Sequence, residues 1–204
     1  LDSADAVEPL LQALGDGDPD VRRVAARGLA RLGEGDLAAA LTAALGGDPE
    51  RAIALSDPRL VAPLCRLLAL GDRTTRVHSA RTLGRMGDPD AVGPLARALG
   101  DPSSVVRQEA AAALCALGEA PLAQGVLSAL AGRPEEISRL GDPRAVPALL
   151  AALADGDASV RRGAAAALAG LAHPEAIEAL VGALQDPDRA VVSLAAEALA
   201  RIGA

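Results

Sequence analysis

A unit of 31 residues recurs along this chain and constrains its fold more than any other feature of the sequence. Aligning the Gly-Asp and Asp-Pro pairs gives five full 31-residue units and two truncated 23-residue units. Internal periods of this length are typical of solenoids, in which each unit packs on its neighbours. The order is full, short, full, full, short, full, full, over residues 3–33, 34–56, 57–87, 88–118, 119–141, 142–172 and 173–203.

The array also repeats on a longer scale. A shift of 85 residues superposes it on itself, and residues 34–64 then match residues 119–149 at 14 of 31 positions. The identities include Leu37 with Leu122, Pro49 with Pro134 and Arg59 with Arg144. Duplication of a three-unit segment explains this pattern best. We expect the chain to form one α-solenoid over residues 1–204 and to be a fragment of a longer protein.

Each full unit has the signals of two helices. In residues 142–172, Asp142 is placed to cap the first helix, and Pro143 takes its first position. Asp157 caps the second helix, and the matching cap positions in the other full units are Asp18, Asp72, Ser103 and Asp188. Four first helices also carry a proline in their second turn, which predicts a bend at Pro9, Pro63, Pro94 and Pro147.

The second helix of a unit opens with Asp-x-x-Val-Arg, as at Asp18 to Arg22 and at Asp157 to Arg161. A helix pair of about 31 residues with this motif resembles the short HEAT-like repeats of bacteria, the class also found in phycobilisome lyases. The resemblance covers essentially the whole chain. It implies an all-α fold, a right-handed α-solenoid of HEAT-like helix pairs, but no particular function, because such arrays host many roles.

The short units lack seven residues of the second helix. Seven residues are close to two helical turns, so the apolar face is nearly preserved, and we expect Leu55 and Leu140 to point inward. The truncation has two possible consequences: the array changes its curvature, or a notch opens beside each short helix. The sequence favours altered curvature with shallow grooves.

A cluster of arginines projects away from the buried stripe of two second helices. In related solenoids these helices line the concave surface, so the resemblance implies a basic patch of Arg23, Arg27, Arg31, Arg81 and Arg85. The equivalent positions later in the chain hold Ala112, Ala116, Ala166 and Gly170, so the patch is local. One interpretation is a partner-binding site; the other is that these arginines only solvate the helix face.

A second set of arginines occupies one repeating position, namely Arg22, Arg76, Arg107 and Arg161. These residues lie on the flank of the second helix that faces the neighbouring repeat. They either form a ladder that binds anions or pair with aspartates of adjacent turns.

Residues suited to catalysis or to metal binding are few. His78 and His173 have no adjacent glutamate and no carboxylate at helical metal spacing, which disfavours a metal site and a HEAT-like hydroxylase with His-Glu pairs. No Ser-His-Asp or Cys-His pattern is evident. Cys65 and Cys115 have no CxxC spacing and are expected to be buried and reduced, as in a cytoplasmic protein. We predict no catalytic residues and no cofactor.

The overall charge limits the partners. A net charge of −7 and the absence of aromatic residues argue against binding to nucleic acid or to an anionic membrane. No apolar run is long enough to span a bilayer. The sequence therefore favours a non-enzymatic scaffold whose arginine patch binds a protein or an acidic peptide. The alternatives are a lyase or isomerase acting on a bilin, which only the resemblance suggests, and a structural spacer.

Overall fold

The chain folds into pairs of α-helices. The computed structural model describes residues 3–14, 16, 18–54 and 58–203, and this part of the chain contains fourteen α-helices and no strand. Each predicted unit holds one pair, so the all-α fold and its repeat plan are confirmed. The pairs are α1 Ser3–Ala13 with α2 Pro19–Arg31, α3 Gly35–Leu45 with α4 Pro49–Ala54, α5 Val61–Leu70 with α6 Arg73–Met86, α7 Val92–Ala98 with α8 Ser104–Ala116, α9 Ala120–Leu130 with α10 Glu135–Leu140, α11 Val146–Ala152 with α12 Ala158–Leu171, and α13 Ile177–Ala183 with α14 Arg189–Gly203.

The chain divides into two compact units, Leu1–Leu95 and Ala96–Ala204. We call residues 3–87 the first block and residues 88–172 the second block. All helices of the first block lie in the first unit, and α8 to α12 of the second block lie in the second. Both blocks have the order full, short, full, so each can be compared with the other position by position. A single right-handed solenoid over the whole chain stays a prediction.

The second helices begin as their cap residues predict. The side chains of Asp18, Asp72, Asp157 and Asp188 each accept a hydrogen bond from a backbone N–H of the first turn. Ser103 has the extended backbone of a cap residue, but its side chain makes no capping bond. Four of the five predicted caps are therefore confirmed in full, because Asp is long enough to reach the unsatisfied amides.

Four first helices open differently from the prediction. A short 3-10 turn precedes α5, α7, α11 and α13, at Pro58–Leu60, Pro89–Ala91, Pro143–Ala145 and Pro174–Ala176. The α-helix therefore starts only one or two residues before Pro63, Pro94 and Pro147, where a missing N–H removes no bond. The predicted loss of a helical bond in the second turn is wrong at these prolines. The turn before α13 forms although no proline follows at Glu178, so the opening Pro-x-Ala segment suffices.

Leucine and alanine form the core within each unit. In the short units the buried residue of the second helix is Ala52 on α4 and Ile137 on α10. The expectation for Leu140 is wrong, since its side chain is 43% exposed at the end of α10, and Leu55 lies outside the described residues. The short helix ends before Leu140 can be covered by a following turn, so only the residue three positions earlier is enclosed.

The packing beneath each short helix combines different residue sizes in the two blocks. Ile137 packs on Gly125 of α9, where an added Cβ would lie 3.1 Å from the Ile137 Cδ1 atom. The first block has Ala52 and Ala40 at the same two positions, and both are fully buried. A large side chain thus faces glycine in one block, and two small side chains face each other in the other. Both short helices are held by close packing on the first helix of their own unit.

Candidate functional site

The five arginines predicted as a patch are all exposed on second helices of the first block. Arg23, Arg27 and Arg31 follow one another at intervals of four on α2, and Arg81 and Arg85 do so on α6. This spacing places each set on one face of its helix. Both helices contact α3, the first helix of the short unit between them. The structure therefore gathers the arginines on two helices that flank the first truncated unit.

Arg23 and Arg85 have acidic neighbours. Arg23 pairs with Asp20 of its own helix, and Arg85 pairs with Glu50 of α4 at 3.1 Å. The Arg85 and Glu50 side chains are 64% and 69% exposed, so water and salt screen their attraction. Such a pair is weak enough for a partner's carboxylate to replace Glu50.

Charge is distributed unequally between the two blocks. The second helices of the first block, α2, α4 and α6, carry nine arginines and only two acidic residues. The corresponding helices of the second block, α8, α10 and α12, carry four arginines and three glutamates. In a chain with a net charge of −7, this concentration of positive charge marks a surface that attracts anions.

A groove runs along α3 between α2 and α6. One cavity of about 490 Å³ is shared by the three helices, and a second of about 530 Å³ continues along α3 towards the start of α4. Ala26, Thr42 and Gly46 line both cavities, so the two adjoin. We call this feature the α3 groove; its remaining polar lining consists of Arg22, Arg23, Asp48, Arg51, Asp72, Thr74 and Thr75. The sequence predicted either altered curvature or a notch beside each short helix, and which of the two the truncation causes stays a prediction.

Only Arg23 of the five predicted patch residues lines the α3 groove. The sequence analysis missed Thr42, Thr75 and His78, which lie at the groove or beside it. Comparing residues 85 positions apart could have identified them, because the second block has Leu127, Val160 and Gly163 at the equivalent positions. A polar or bulky residue that replaces an apolar or small one between duplicated segments marks a changed contact.

The second set of arginines has a structural role. Arg22, Arg76, Arg107 and Arg161 each donate an Nη1 hydrogen bond to a backbone carbonyl of the turn before their helix, at 2.7–2.9 Å. Arg161 also makes two bonds to the carboxylate of Asp186 in the next unit, at 2.8 and 3.0 Å. These bonds hold the pKa of Asp186 below its ordinary value.

The pair formed by Arg107 crosses a short unit. Its Nη1 lies 3.1 Å from Asp155 Oδ2, and the two side chains are only 14% and 10% exposed. Arg107 belongs to the unit 88–118 and Asp155 to the unit 142–172, so the bridge spans the whole of 119–141. Pairing with aspartates of neighbouring turns is therefore confirmed at Arg107 and at Arg161.

Arg59 and Arg144, which are identical residues after the 85-residue shift, also form ion pairs across a short unit. Arg144 binds both carboxylate oxygens of Glu119 at 2.9 Å, and Arg59 pairs with Glu34 at 2.8 Å. Each pair joins the start of a short unit to the start of the unit after it. Hydrogen bonds from Arg144 also lower the pKa of Asp142. This repeated residue therefore ties the array together across the truncation.

The histidines and cysteines show no chemistry that would suggest catalysis. His78 Nδ1 donates to the carbonyl of Leu45 at 2.6 Å, and His173 accepts a bond from the Glu175 N–H as a capping aspartate would. Cys65 is half-buried, but Cys115 is exposed, so its predicted burial is wrong. Within the described ranges, no three His, Cys, Asp or Glu side chains gather as a metal site requires. None of the described helices has the length and apolar character needed to cross a bilayer.

Comparison with known families identifies the repeat. A model of HEAT repeats matches residues 1–56, 61–140 and 146–204, and a model of the PBS lyase HEAT-like repeat matches residues 136–155. No curated protein matches the sequence.

Several solved structures resemble the chain at low identity. Human deoxyhypusine hydroxylase in complex with glycerol is 24% identical, with 98% of this chain and 97% of that one covered and a TM-score of 0.37. An engineered protein is also 24% identical, with coverages of 97% and 96% and a TM-score of 0.32. A designed armadillo repeat protein is 22% identical, with coverages of 98% and 83% and a TM-score of 0.34. Likeness at this level says nothing about activity.

Proposed function

Because the chain belongs to the family of HEAT-repeat proteins, we propose that it is a non-enzymatic scaffold that binds an acidic segment of a partner protein through its first block. The observation that carries this proposal is the charge of α2, α4 and α6, with nine arginines against two acidic residues. Oppositely charged surfaces accelerate encounter and disfavour wrong partners. The reduced cysteines expected of this chain fit a bacterial cytoplasm.

The partner's carboxylates would meet exposed guanidinium groups. Arg27 and Arg81 lie on different helices that both contact α3, and each is exposed. A guanidinium binds a carboxylate through two parallel hydrogen bonds, which gives arginine an advantage over lysine in selecting acidic groups. A segment that reaches from α2 to α6 would use both helices at once.

The proposal predicts a specific loss of binding. Random 12-residue peptides displayed on phage would be selected on the chain, and the selected peptides should be enriched in Asp and Glu. Arg27→Glu combined with Arg81→Glu should weaken binding of a selected peptide about 100-fold or more, since two charge-assisted contacts become repulsive. Fluorescence anisotropy measures the affinity of the parent chain and of the double variant, and circular dichroism checks that both remain folded.

The control variant has the same net charge as the Arg27→Glu and Arg81→Glu variant. Arg133→Glu combined with Arg189→Glu changes the charge by the same amount at exposed positions of the second unit. Its affinity should stay close to that of the parent chain. Selected peptides without acidic residues, or equal losses in the two double variants, would show that no specific arginine patch exists. A selection that yields no binding peptide would favour the structural spacer.

The alternative is a lyase or isomerase acting on a bilin. Its one support is the PBS lyase HEAT-like match over residues 136–155, which cover α10 from its second residue, a 3-10 turn and the whole of α11. Those residues are helices of the repeat scaffold. Mixing the chain with a bilin and recording visible absorbance distinguishes the two functions. A shifted spectrum with pigment retained on gel filtration would favour the lyase-like role.

A further inference from the structure

One position decides how closely the last helix of a block approaches its short unit. In the second block this position is Gly163 of α12, which packs on the end of α9. A Cβ added there would lie 2.1 Å from the Ala129 carbonyl oxygen and 3.0 Å from the Leu130 Cα. The two helix backbones are therefore in direct contact, and only glycine fits between them.

The first block has His78 at that position. Its Nδ1 atom donates to the Leu45 carbonyl at 2.6 Å, and the other edge of the ring lies against Gly47. A Cβ on Gly47 would come within 3.1 Å of the His78 Cε1 and Nε2 atoms. The imidazole thus fills the space between α6 and the end of α3. It keeps these helices apart by the width of a ring where the second block has backbone contact.

The groove beside His78 is lined differently from the equivalent part of the second block. Thr75 of α6 stands where the second block has the buried Val160, and Thr42 of α3 stands where it has Leu127. Arg23 of α2 stands where it has Gln108. Hydroxyl groups and a guanidinium therefore face a space that both blocks inherit from the same truncation.

We propose that the α3 groove is the docking site of the partner's acidic segment and that His78 holds it open. This inference rests on the proposed function and adds the place of binding. The segment would lie extended along α3, with a carboxylate on Arg23. Its backbone N–H groups would donate to the hydroxyl oxygens of Thr42 and Thr75, since the Thr42 hydroxyl already donates to the Ala38 carbonyl and the Thr75 hydroxyl to Asp72. Three arginines, Arg22, Arg23 and Arg51, line the two adjoining cavities against two aspartates, and this excess of positive charge favours an acidic segment.

The groove also selects how the acidic residues are spaced. Asp72 lines the same cavity, and its carboxylate accepts the backbone N–H of Thr75 at 2.7 Å. A second carboxylate placed near Asp72 would be repelled, whereas a neutral polar side chain would be accepted. The preferred segment therefore carries separated acidic residues with small neutral residues between them, rather than a continuous run of glutamates.

A defined peptide locates the site. The probe is a 12-residue peptide of Ser, Ala and Gly with two separated Glu residues, and its twin has Gln in their place. Titrated into the ¹⁵N-labelled chain, the Glu peptide should shift the amide resonances of Thr42, Gly46 and Thr75, and the Gln twin should not. Shifts confined to other parts of the chain, or no shifts at millimolar peptide, would overturn the inference.

Two variants then test the groove itself. Thr42→Glu puts a like charge into the groove from an exposed position of α3 and should weaken binding of the Glu peptide at least tenfold. His78→Gly introduces the residue of the second block, lets α6 approach α3 and should weaken binding to a similar extent. Gln108→Glu adds the same charge as Thr42→Glu at an exposed position of the second block and should leave the affinity unchanged. If His78→Gly does not fold, Thr42→Glu alone decides.

The outcomes separate this inference from the proposed function. If the Arg27→Glu and Arg81→Glu chain loses binding while the Thr42→Glu chain keeps it, the arginine patch stands and the groove is not the docking site. If both chains lose binding and Gln108→Glu does not, both proposals stand. If neither chain loses binding, both proposals fail.

Discussion

The two blocks share one plan, but they differ in how the short unit is enclosed. In the second block, glycine lets α12 approach twice: Gly163 meets α9, and Gly170 meets Ser138 of α10, whose Oγ would lie 2.0 Å from an added Cβ. The first block has His78 and Arg85 at these positions. Small residues of α12 allow close contact with the second short unit, and larger residues stand at the same positions of α6.

The two blocks also differ where the first unit of each block packs against its third unit. In the second block, Gly100 packs on α11, and an added Cβ would lie 2.1 Å from the Ala148 carbonyl oxygen. The first block has Pro63 at the position of Ala148, and a cavity of about 230 Å³ lies there between α1 and α5. Leu70 borders this cavity and is 80% exposed, where the second block has Asp155 in its bridge to Arg107.

The comparison shows how two helices at the same place in duplicated segments can differ in their packing. Gly163 lets the backbone of α12 meet that of α9, whereas His78 places a ring between α6 and the end of α3. On the proposal made above, this one difference would keep the α3 groove open in the first block. Duplicated segments could then differ in binding without any change in the order of their helices.

The largest effect is expected from adding a methyl group where the second block is closed. Gly163→Ala should lower the free energy of unfolding by about 1–3 kcal/mol, because the Cβ would meet a backbone carbonyl that cannot move away freely. Gly182→Ala in α13 is the control, since nothing lies within 4 Å of its added Cβ. The control should raise stability by up to about 1 kcal/mol through helix propensity. Urea unfolding measures both; equal changes in the two variants would contradict close contact at Gly163.

The next effect concerns the bridge across the second short unit. Arg107→Ala should cost about 1–3 kcal/mol, since it leaves the mostly buried Asp155 without its cation. Asp155→Asn removes the charge but can still accept the Asp157 N–H. In a double-mutant cycle, Asp155→Asn should have little further effect once Arg107 is Ala.

The Arg59–Glu34 pair of the first block is exposed and can be compared with the buried Arg107–Asp155 pair by the same double-mutant cycle. Arg59 and Glu34 join the first short unit to the unit after it, and the Arg59 side chain is 58% exposed. Their coupling free energy should be about 0.2–1 kcal/mol and should decrease with added salt. A coupling as large as that of Arg107 with Asp155 would show that burial does not distinguish the two blocks.

Local signals made most of the fold predictable. The cap aspartates, the Gly-Asp and Asp-Pro pairs and the apolar spacing each act within one turn of helix, so the repeat plan and the second-helix starts follow from them. The 3-10 turns before four first helices were missed because an initial proline, followed by x-Ala in three of them, suits either helix type. Leu140 was misplaced because its burial depends on a following turn that the short unit lacks.

The candidate site was only partly predictable, because it depends on distances between units. The sequence indicated exposed arginines and a possible notch, but Arg23 alone connects the two. The role proposed for His78 depends on its contact with Leu45, which is 33 residues away in sequence. No local pattern predicts whether α6 packs against α3 through a ring or through its backbone. Comparison of the duplicated positions comes closest, since it contrasts His78 with Gly163 directly.

Substitutions at its buried hydroxyls test the polarity of the inner face of α6. The hydroxyls of Ser79 and Thr82 are fully buried and, among the described residues, have no hydrogen-bond partner, where α12 has Ala164 and Ala167. Ser79→Ala should raise the free energy of unfolding by about 1 kcal/mol, because it removes an unsatisfied polar group. Ala164→Ser should lower it by a similar amount, and thermal unfolding measures both changes. A destabilised Ser79→Ala chain would mean that this hydroxyl makes a stabilising contact in solution. The buried side of α6 would then contribute polar contacts that the buried side of α12 lacks.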